Sequence, residues 1–382
     1  MDFALTPEQV DLRDRVVGFA RSLEDDVVVR DRDGTFPRDL WNRCADFGLQ
    51  SMSIPAEYNA SGTDTDLLSA AVAMEAFGYG CRDNGLSLAL ATHMWTVQHP
   101  IAEFGTDAQR TRWLPPMSAG AIIGAHAVTE PEAGSDHLAM ATIAEPVDGG
   151  YRLTGTKRYI TLGPVADLAL LFATVDPSKG RWGITAFLVE TDSPGCTRGA
   201  AQDKMGLRTV PMGDIVLDGC FVPEANRLGS EGSGASISSR ALGIERTFIL
   251  AFQVGAMARQ LEDAIVHART RHQFGQPIGK FQSVSNRIAD MKLALETARL
   301  HLYKVVWMLD RGESVGLEAA LLKLHLGEAF VASSLDAVRI HGGAGYIAEG
   351  GVERDLRDAV GGVIYGGTSD IQRVLIGRML GL

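Results

Sequence analysis

The sequence predicts an α+β protein in which a helical segment is followed by a β segment and then by a second helical segment. Apolar residues recur at helical spacing up to about residue 120. From Ala121, short runs rich in β-branched residues recur roughly every 12 residues between Gly, Pro and Asp, which is typical of strands. From Ser239 onward helical spacing returns. We therefore expect three domains: an N-terminal helical domain at 1–120, a middle β domain at 121–228 and a C-terminal helical domain at 229–382.

Composition excludes several classes of protein. A net charge of −11 argues against a nucleic-acid-binding surface. The four cysteines are scattered without CxxC spacing, so we expect neither a disulfide framework nor a metal site. We find no signal peptide and no run of about 18 apolar residues, so we expect no membrane span and a cytoplasmic location.

The N-terminal segment carries recognisable helix starts. Thr6 can cap a helix together with Gln9 three residues later, and Pro7 suits the first helical position. A second helix is expected from Pro37 to a stop at Gly48. Two further helices are predicted at Asp66–Phe77 and Gly85–Trp95.

The middle segment predicts six strands. Asp148-Gly149 is a strong hairpin signal between two of them. The Gly- and Ser-rich stretch Gly229–Ser239 marks the end of this segment. The six runs are Ala121–Thr129, Leu138–Pro146, Tyr151–Ile160, Ala166–Val175, Gly183–Glu190 and Gly213–Phe221.

The C-terminal segment predicts three long amphipathic helices and a terminal one, which together suggest a four-helix bundle. One helix includes Ile249 to Ile265, the next Val284 to Leu309, and the third Leu317 to Val338. The terminal helix opens at Thr368 after the glycines Gly366 and Gly367. Such a turn can be an anion or oxyanion site, or a plain helix cap.

Common nucleotide, hydrolase and metal motifs are missing. Gly229–Gly234 has the glycines of a dinucleotide site but not its strand–turn–helix context. There is no P-loop, HExxH or GxSxG sequence.

Four motifs in order resemble the acyl-CoA dehydrogenase family of FAD-dependent enzymes. They are VTEPEAGSD at 128–136, RHQFG at 271–275, HGGAGY at 341–346 and VIYGGTSDIQR at 363–373. The resemblance implies an N-terminal helical domain, a middle β-barrel or sandwich and a C-terminal four-helix bundle. It also implies a homotetramer built as a dimer of dimers.

The resemblance implies a reaction, and the sequence departs from the family pattern at one catalytic position. Family members remove a proton from the α-carbon and a hydride from the β-carbon of an acyl thioester. Where most carry the catalytic glutamate, this chain has Gly366, whose backbone N–H can still polarise the thioester oxygen. Glu245, just before Arg246, resembles the base that some members carry on the first long bundle helix. The alternative is a surface glutamate paired with a neighbouring cation. Glycine at 366 also leaves room for a branched or cyclic substituent.

The resemblance also implies the ligand contacts. The motif around Arg271 reaches the FAD of a neighbouring subunit in the family, so at least a dimer is expected. Arg271 and Arg339 suit a pyrophosphate, which a guanidinium binds bidentately. Substrate contacts fall on Ser135 and Arg246. The implied FAD contacts are Val128, Thr129, Ser135, Tyr159, Thr161, Arg271, Gln273, Phe274, Gln282, Arg339, Gly342, Gly343, Thr368 and Asp370.

The substrate carrier and the exact reaction stay open. The acyl group can be carried by CoA or by the pantetheine arm of a carrier protein. Residues 74–85, with Glu245, look similar to prolyl-carrier-protein dehydrogenases of specialised metabolism. The electron acceptor is expected to be an electron-transfer flavoprotein or oxygen. The alternatives are an enoyl-thioester reductase, a flavin monooxygenase or a flavin-binding subunit without chemistry of its own.

Overall fold

The computed structural model describes residues 4–23 and 26–382. Its first part is helical, as predicted. A π-helical stretch, Thr92–Gln98, joins α5 to α6. The helices are α1 Pro7–Arg21, α2 Val27–Asp33, α3 Arg38–Asp46, α4 Leu67–Gly80, α5 Asn84–Ala91, α6 His99–Phe104 and α7 Asp107–Ser118.

The predicted helix starts are confirmed. Thr6 and Gln9 form a reciprocal capping box at the start of α1. Asp66 caps α4 by accepting a hydrogen bond from the Ser69 N–H. Helices α2, α6 and α7 were not predicted. Helix α7 carries two prolines in its last turn, which in a sequence normally indicate that a helix has ended.

All six predicted strands are present in one mixed sheet of eight strands. The sheet order is β6-β7-β3-β2-β4-β5-β8, and β1 pairs in parallel with β4. The two unpredicted strands, β6 and β8, have three and two residues. The strands are β1 Gly124–Ala127, β2 Ile143–Val147, β3 Gly150–Thr161, β4 Leu168–Thr174, β5 Ile184–Glu190, β6 Cys196–Arg198, β7 Met212–Pro223 and β8 Arg227–Leu228.

The predicted hairpin joins β2 to β3. Gly149 has a φ of 80°, a left-handed conformation that glycine adopts without strain. Further along β3, the pairing with β7 is irregular between Lys157 and Ile160. Tyr159 lies within this irregularity with a φ of 58°, so its side chain is displaced from the regular ladder.

The last part of the chain is a helical bundle with a small hairpin. Helices α9, α10 and α11 pack against one another, and α13 and α14 pack on α11. The elements are α8 Gly234–Phe248, α9 Ala251–Thr270, β9 His272–Gln273, β10 Gln276–Pro277, α10 Gln282–Asp310, α11 Gly316–His341, α12 Gly343–Tyr346, α13 Val352–Gly362 and α14 Ser369–Met379.

The prediction for the first bundle helix was wrong in one respect. The sequence suggested one long helix with Glu245 near its start, but the chain forms α8 and α9, separated at Ile249 and Leu250. Leu250 leaves the helical region with a φ of −111° and a ψ of 0°. Glu245 therefore lies in the last turn of α8. Apolar periodicity continues through the break because both helices face the same core, so the sequence pattern did not show it.

Close helix packing joins the first and last parts of the chain. A Cβ on Gly78 of α4 would lie 1.9 Å from the Phe252 carbonyl oxygen of α9. A Cβ on Gly255 would lie 1.9 Å from the Glu75 carbonyl oxygen. Only glycine permits this approach, and Arg259 strengthens it by donating to the Gly78 carbonyl oxygen at 2.7 Å. The packing fixes the bundle relative to the N-terminal helices.

One helical stretch in the described part of the chain, 234–270, is long and apolar enough to cross a membrane by length and composition alone. Most of its most apolar window is buried inside the protein, as in the core helix of a soluble protein. No group of three or more His, Cys, Asp or Glu side chains that could hold a metal ion lies within 4–23 and 26–382.

Candidate active site

Glu245 lies in the protein interior. Its side chain is held in the last turn of α8, and the residue is only 8% exposed. It borders a small pocket whose walls come from α8, from β1 and from β4. Leu170, Phe172 and Ile237 give the pocket an apolar surface. The alternative interpretation of Glu245, a solvated surface glutamate in an ion pair, therefore does not hold.

The glycine turn before α14 lies directly against this carboxylate. Gly366 and Gly367 have φ values of 64° and 86°. A Cβ built on Gly366 would lie 3.9 Å from Oε1 of Glu245. The Gly366 N–H has no hydrogen-bond acceptor among the described residues, so it is available as a donor. The turn therefore combines a carboxylate with a free backbone donor.

Lys323 holds the turn in place. This lysine of α11 is 1% exposed, and its Nζ donates to the carbonyl oxygens of Gly362 at 2.9 Å and Gly367 at 2.7 Å. Gln372 adds a hydrogen bond from Nε2 to the Gly366 carbonyl oxygen at 3.2 Å. The carbonyls on both sides of the Gly366 N–H are thus fixed by side chains from two helices.

Burial governs the charges around Glu245. The pKa of Lys323 is lowered to about 8, mainly by burial and also by nearby Arg246, while Glu245 opposes the change. Burial also lowers the pKa values of Arg246, His126 and His137, and the Glu245 carboxylate raises all three. The carboxylate is therefore set among two cations and two imidazoles that burial keeps neutral.

The predicted contacts for a flavin ring lie on the strands beside this site. Val128 and Thr129 directly follow β1, and the Thr129 carbonyl oxygen accepts a hydrogen bond from the Arg158 N–H at 2.8 Å. Tyr159 and Thr161 follow on β3. The Tyr159 side chain is 53% exposed. The structure therefore brings these four residues together and presents an aromatic surface.

A buried ion pair fixes the segment after β1. Lys157 Nζ donates to Glu130 Oε1 at 2.7 Å and to the Val128 carbonyl oxygen at 3.2 Å. Glu130 also accepts from the Ala141 N–H. Ser135, between these anchors, is exposed.

A third group of predicted residues lies at one end of the bundle. Arg271 ends α9, Gln282 begins α10, and Arg339 lies in the last turn of α11. Stacking of His267 on His341, with ring centroids 4.3 Å apart, joins the ends of α9 and α11. The remaining members are Gln273, Phe274, Gly342 and Gly343.

This end of the bundle faces solvent within the single chain. Phe274 is 94% exposed on the β9–β10 hairpin, with a φ of 52°. The hairpin holds an apolar ring in water, which is unfavourable unless another surface covers it. No hydrogen bond or ion pair joins this group to Glu245 in the described part of the chain. Arg339 instead pairs with Asp336 at 3.1 Å.

The last two predicted contacts lie at the start of α14. Thr368 caps this helix by accepting a hydrogen bond from the Ile371 N–H at 3.1 Å. Asp370 is exposed and pairs with Arg373 at 3.2 Å. The helix-cap interpretation of Thr368 is therefore confirmed. The cap leaves the Gly366 N–H available as a donor.

Family models cover most of the chain in three parts. The acyl-CoA dehydrogenase N-terminal domain matches residues 6–121, the middle domain 125–220 and the C-terminal domain 232–381. The chain belongs to the acyl-CoA dehydrogenase family. The predicted three-part fold is thereby confirmed.

Individual relatives are similar over nearly the whole length. An L-prolyl-[peptidyl-carrier protein] dehydrogenase of Pseudomonas fluorescens is 46% identical over 90% of this chain and 90% of its own. The crystal structure of the prolyl acyl carrier protein oxidase AnaB matches with a TM-score of 0.97 at 44% identity, covering 99% of this chain and 100% of that one. PigA with FAD and proline matches with a TM-score of 0.96 at 38% identity, covering 100% of both chains.

As an acyl-CoA dehydrogenase family member, the chain is an FAD-dependent oxidoreductase that acts on the CH–CH bond of an acyl thioester. Its residues fit the cofactor together with the thioester beside it. Nε of buried Arg246 and the Gly366 N–H have no partner among the described residues, and the Tyr159 ring is presented at a left-handed backbone position. These are donors and a stacking surface that a ligand between the strands and α8 can use.

Three residues of this site were not predicted. Lys323 interrupts an apolar run of α11, and a lysine on a buried helical face was the signal available. His126 lies inside an apolar strand, which is a similar signal. His137 carried no signal, because only the folding of residues 137–139 against the site brings it near Glu245.

Proposed function

We propose that this enzyme oxidises the Cα–Cβ bond of a small cyclic aminoacyl group, of the size of proline, held as a thioester on the pantetheine arm of a carrier protein. Glu245 is the base. The observation that carries the proposal is the 3.9 Å separation between Oε1 of Glu245 and the position of a Cβ on Gly366. The carboxylate thus reaches, from α8, the space that a side chain at position 366 would enter.

Glu245 takes the proton from the α-carbon. A carboxylate shielded from water by α8 and the glycine turn is well placed for this step, since proton transfer requires a base within hydrogen-bond reach of the carbon acid. The charges of Arg246 and Lys323 interact with this carboxylate, since Glu245 raises the pKa values of both cations.

The Gly366 N–H stabilises the charge that develops on the thioester oxygen. Backbone donors fixed in advance contribute most when charge appears in the transition state, because they need no reorganisation. Lys323 and Gln372 supply this rigidity through the carbonyls of the same turn.

Bound FAD would supply the acceptor for the hydride that leaves the β-carbon. Val128, Thr129, Tyr159, Thr161 and Thr368 would hold its ring. Ser135, Asp370 and the arginines of a second subunit would hold the rest.

Absence of a side chain at position 366 favours a cyclic substrate. The space beyond Gly366 is not filled by the family's usual glutamate, so a ring attached at the α-carbon meets less crowding. The similarity to enzymes named for prolyl carrier proteins supports the same substrate class. We infer that a carrier protein, rather than CoA, presents this group.

Assembly and location follow from the same proposal. We infer at least a dimer, because the exposed Phe274 and Arg271 need a partner surface to cover them. The family resemblance extends this inference to a homotetramer built as a dimer of dimers. The cytoplasm is the proposed location, and an electron-transfer flavoprotein or oxygen the acceptor.

The test is anaerobic reduction of the flavin by a panel of thioesters. L-prolyl and butyryl groups are loaded on a carrier protein and on CoA, and flavin absorbance is followed. Bleaching is expected with the prolyl carrier in wild type and in the exposed-site control Glu145→Gln, and not in Glu245→Gln. Equal bleaching in Glu245→Gln would remove Glu245 as the base. Faster bleaching by butyryl-CoA would overturn the substrate assignment.

A further inference from the structure

His126 shares the pocket with Glu245. It is the third residue of β1, and its ring meets Phe172 edge-on at a centroid distance of 5.6 Å. Glu245 borders the same pocket from α8, and its charge raises the pKa of His126. The two side chains therefore belong to one small chamber, one on the strand side and one on the helix side.

The ring nitrogens of His126 have no hydrogen-bond partner in the part of the chain that the structure describes. Neither nitrogen makes a hydrogen bond to another group among residues 4–23 and 26–382. His93, which lies near the other end of β1, behaves differently. Its Nδ1 accepts a hydrogen bond from the Gly124 N–H at 3.0 Å, and its Nε2 donates to the Met117 carbonyl oxygen at 3.2 Å. A histidine with a purely structural role has its ring nitrogens hydrogen-bonded in this way, whereas both ring nitrogens of His126 are available to a ligand.

The charge state of His126 suits a cationic or N–H-bearing ligand. Burial lowers the pKa of His126, with His137 and Lys157 acting in the same direction and Glu245 opposing them. The imidazole is consequently neutral near pH 7, with one nitrogen able to accept a hydrogen bond. A secondary ammonium group can donate to that nitrogen and also lies near the Glu245 carboxylate.

The remaining surface of the pocket suits hydrocarbon. Leu170, Phe172, Ile237 and Ala241 contribute apolar surface. The hydroxyl of Thr96 is already used, since it donates to the Thr92 carbonyl oxygen at 2.6 Å. The pocket therefore places apolar surface beside two polar side chains, His126 and Glu245.

We propose that His126 recognises the α-nitrogen of the substrate and so makes this enzyme selective for thioesters of a cyclic secondary amino acid over their all-carbon analogues. The inference rests on the proposed function and adds the residue that selects the substrate. An analogue without the nitrogen leaves the His126 imidazole unpaired, and a site built to bind an N–H rejects such an analogue strongly.

The experiment compares two ligands of the same shape. Carrier-protein thioesters of L-proline and of cyclopentanecarboxylic acid are used with wild type, His126→Phe and His126→Gln. The matched control is His301→Phe, which changes a half-buried histidine of α10. The readout is the rate of anaerobic flavin reduction for each thioester.

We expect wild type and His301→Phe to favour the prolyl thioester by about 10- to 100-fold, as expected for one hydrogen bond to a charged group. In His126→Phe the prolyl rate falls by that factor, and the cyclopentanecarbonyl rate stays equal or rises. His126→Gln, which keeps an acceptor, retains part of the preference. Equal losses for both thioesters would mean that His126 only supports the strand, and equal rates in wild type would overturn the proposal.

Binding provides a second readout that does not depend on turnover. In a Glu245→Gln background the Kd of each thioester is measured from the flavin spectral shift, with and without His126→Phe. Weaker binding of the prolyl thioester alone supports His126 as its receptor. If Glu245→Gln still reduces flavin and still prefers the prolyl thioester, Glu245 is not the base, but the role proposed for His126 stands. If neither thioester binds or reduces wild type, both fail.

Discussion

A Cβ built on Gly366 would lie 3.9 Å from Oε1 of Glu245. The Glu245 carboxylate, from the last turn of α8, therefore lies beside the space that a side chain at position 366, in the turn before α14, would enter. Ile249 Cγ2 and Lys323 Cε, at 3.6 and 3.7 Å from that Cβ, complete its surroundings. These are ordinary contact distances. Position 366 is therefore open to a side chain sterically, although its φ of 64° disfavours one.

Exchanging the two residues tests whether they serve one purpose. We expect Glu245→Gly to lose nearly all flavin reduction. The double variant Glu245→Gly with Gly366→Glu should reduce flavin at least about 10-fold faster than Glu245→Gly alone, because a carboxylate returns to the same space. The recovery is partial, since a non-glycine residue at positive φ costs about 1–2 kcal/mol. Stopped-flow flavin reduction measures the rates.

The single variant Gly366→Glu provides the control for the exchange. With two carboxylates in one buried space, like charges favour protonation of one of them, so the rate should fall below that of wild type. If the double variant reduces flavin no faster than Glu245→Gly alone, the two positions do not serve the same acyl carbon.

Lys323 is predicted to be a positioning residue. In Lys323→Met the carbonyls of Gly362 and Gly367 lose their donor, so the turn that presents the Gly366 N–H becomes less fixed. We expect the limiting rate of flavin reduction to fall by about 10- to 100-fold while substrate Kd changes little, since the donor acts on charge that develops in the transition state.

The exposed Lys304→Met on α10 is the matched control for Lys323, because it removes a similar side chain from the surface. A Lys323→Met variant that weakened substrate binding in proportion to the rate would argue against an effect on the transition state. Rescue by Lys323→Arg would indicate that a donor suffices.

The shared cofactor site predicts complementation between subunits. Glu245→Gln lacks the base, and Arg271→Ala lacks the residue expected to reach the neighbouring FAD. In a mixed dimer one site combines the intact Glu245 of one subunit with the intact Arg271 of the other. We expect doubly tagged, co-purified mixed oligomers to recover about half the wild-type activity per dimer.

Each variant alone should stay inactive or poor in flavin. Mixed oligomers without activity, together with monomers in sedimentation analysis, would contradict a site built from two subunits. The flavin content of Arg271→Ala, measured by absorbance, gives a check that is independent of turnover.

His93 predicts a loss of stability in acid. It is fully buried, and burial lowers its pKa from 6.5 to about 4, so the unfolded chain binds a proton between these values and the folded chain does not. Its contribution is therefore present above pH 6.5 and is lost as the pH falls towards 4, at most about 3 kcal/mol. Thermal unfolding measured from pH 7 to pH 4.5 tests this.

His93→Gln keeps a donor and an acceptor but does not titrate in this range. Its melting temperature should fall less steeply with acid than that of wild type. Parallel curves for the two proteins would show that other groups cause the acid sensitivity. Because His93 holds the start of β1, acid should also disturb the strand that carries His126.

Sequence patterns predicted most of the elements because each depends on local preferences. The capping box at Thr6, the turn at Asp148-Gly149 and the cap at Thr368 require only a few neighbouring residues. The break between α8 and α9 was missed, because apolar periodicity reports which face is buried and not whether the backbone continues. Short strands such as β8 carry too few residues for a pattern.

The sequence by itself determined the family, the three-part order of the chain and the candidates Glu245 and Gly366. The roles predicted for the residues that bind FAD stay predictions. Only the tertiary structure decided that the Glu245 carboxylate meets the space beside Gly366, that Lys323 holds that turn and that His126 faces the same pocket. These side chains lie on α8, α11, β1 and the turn before α14, and their distances depend on helix and strand packing, which local spacing does not encode.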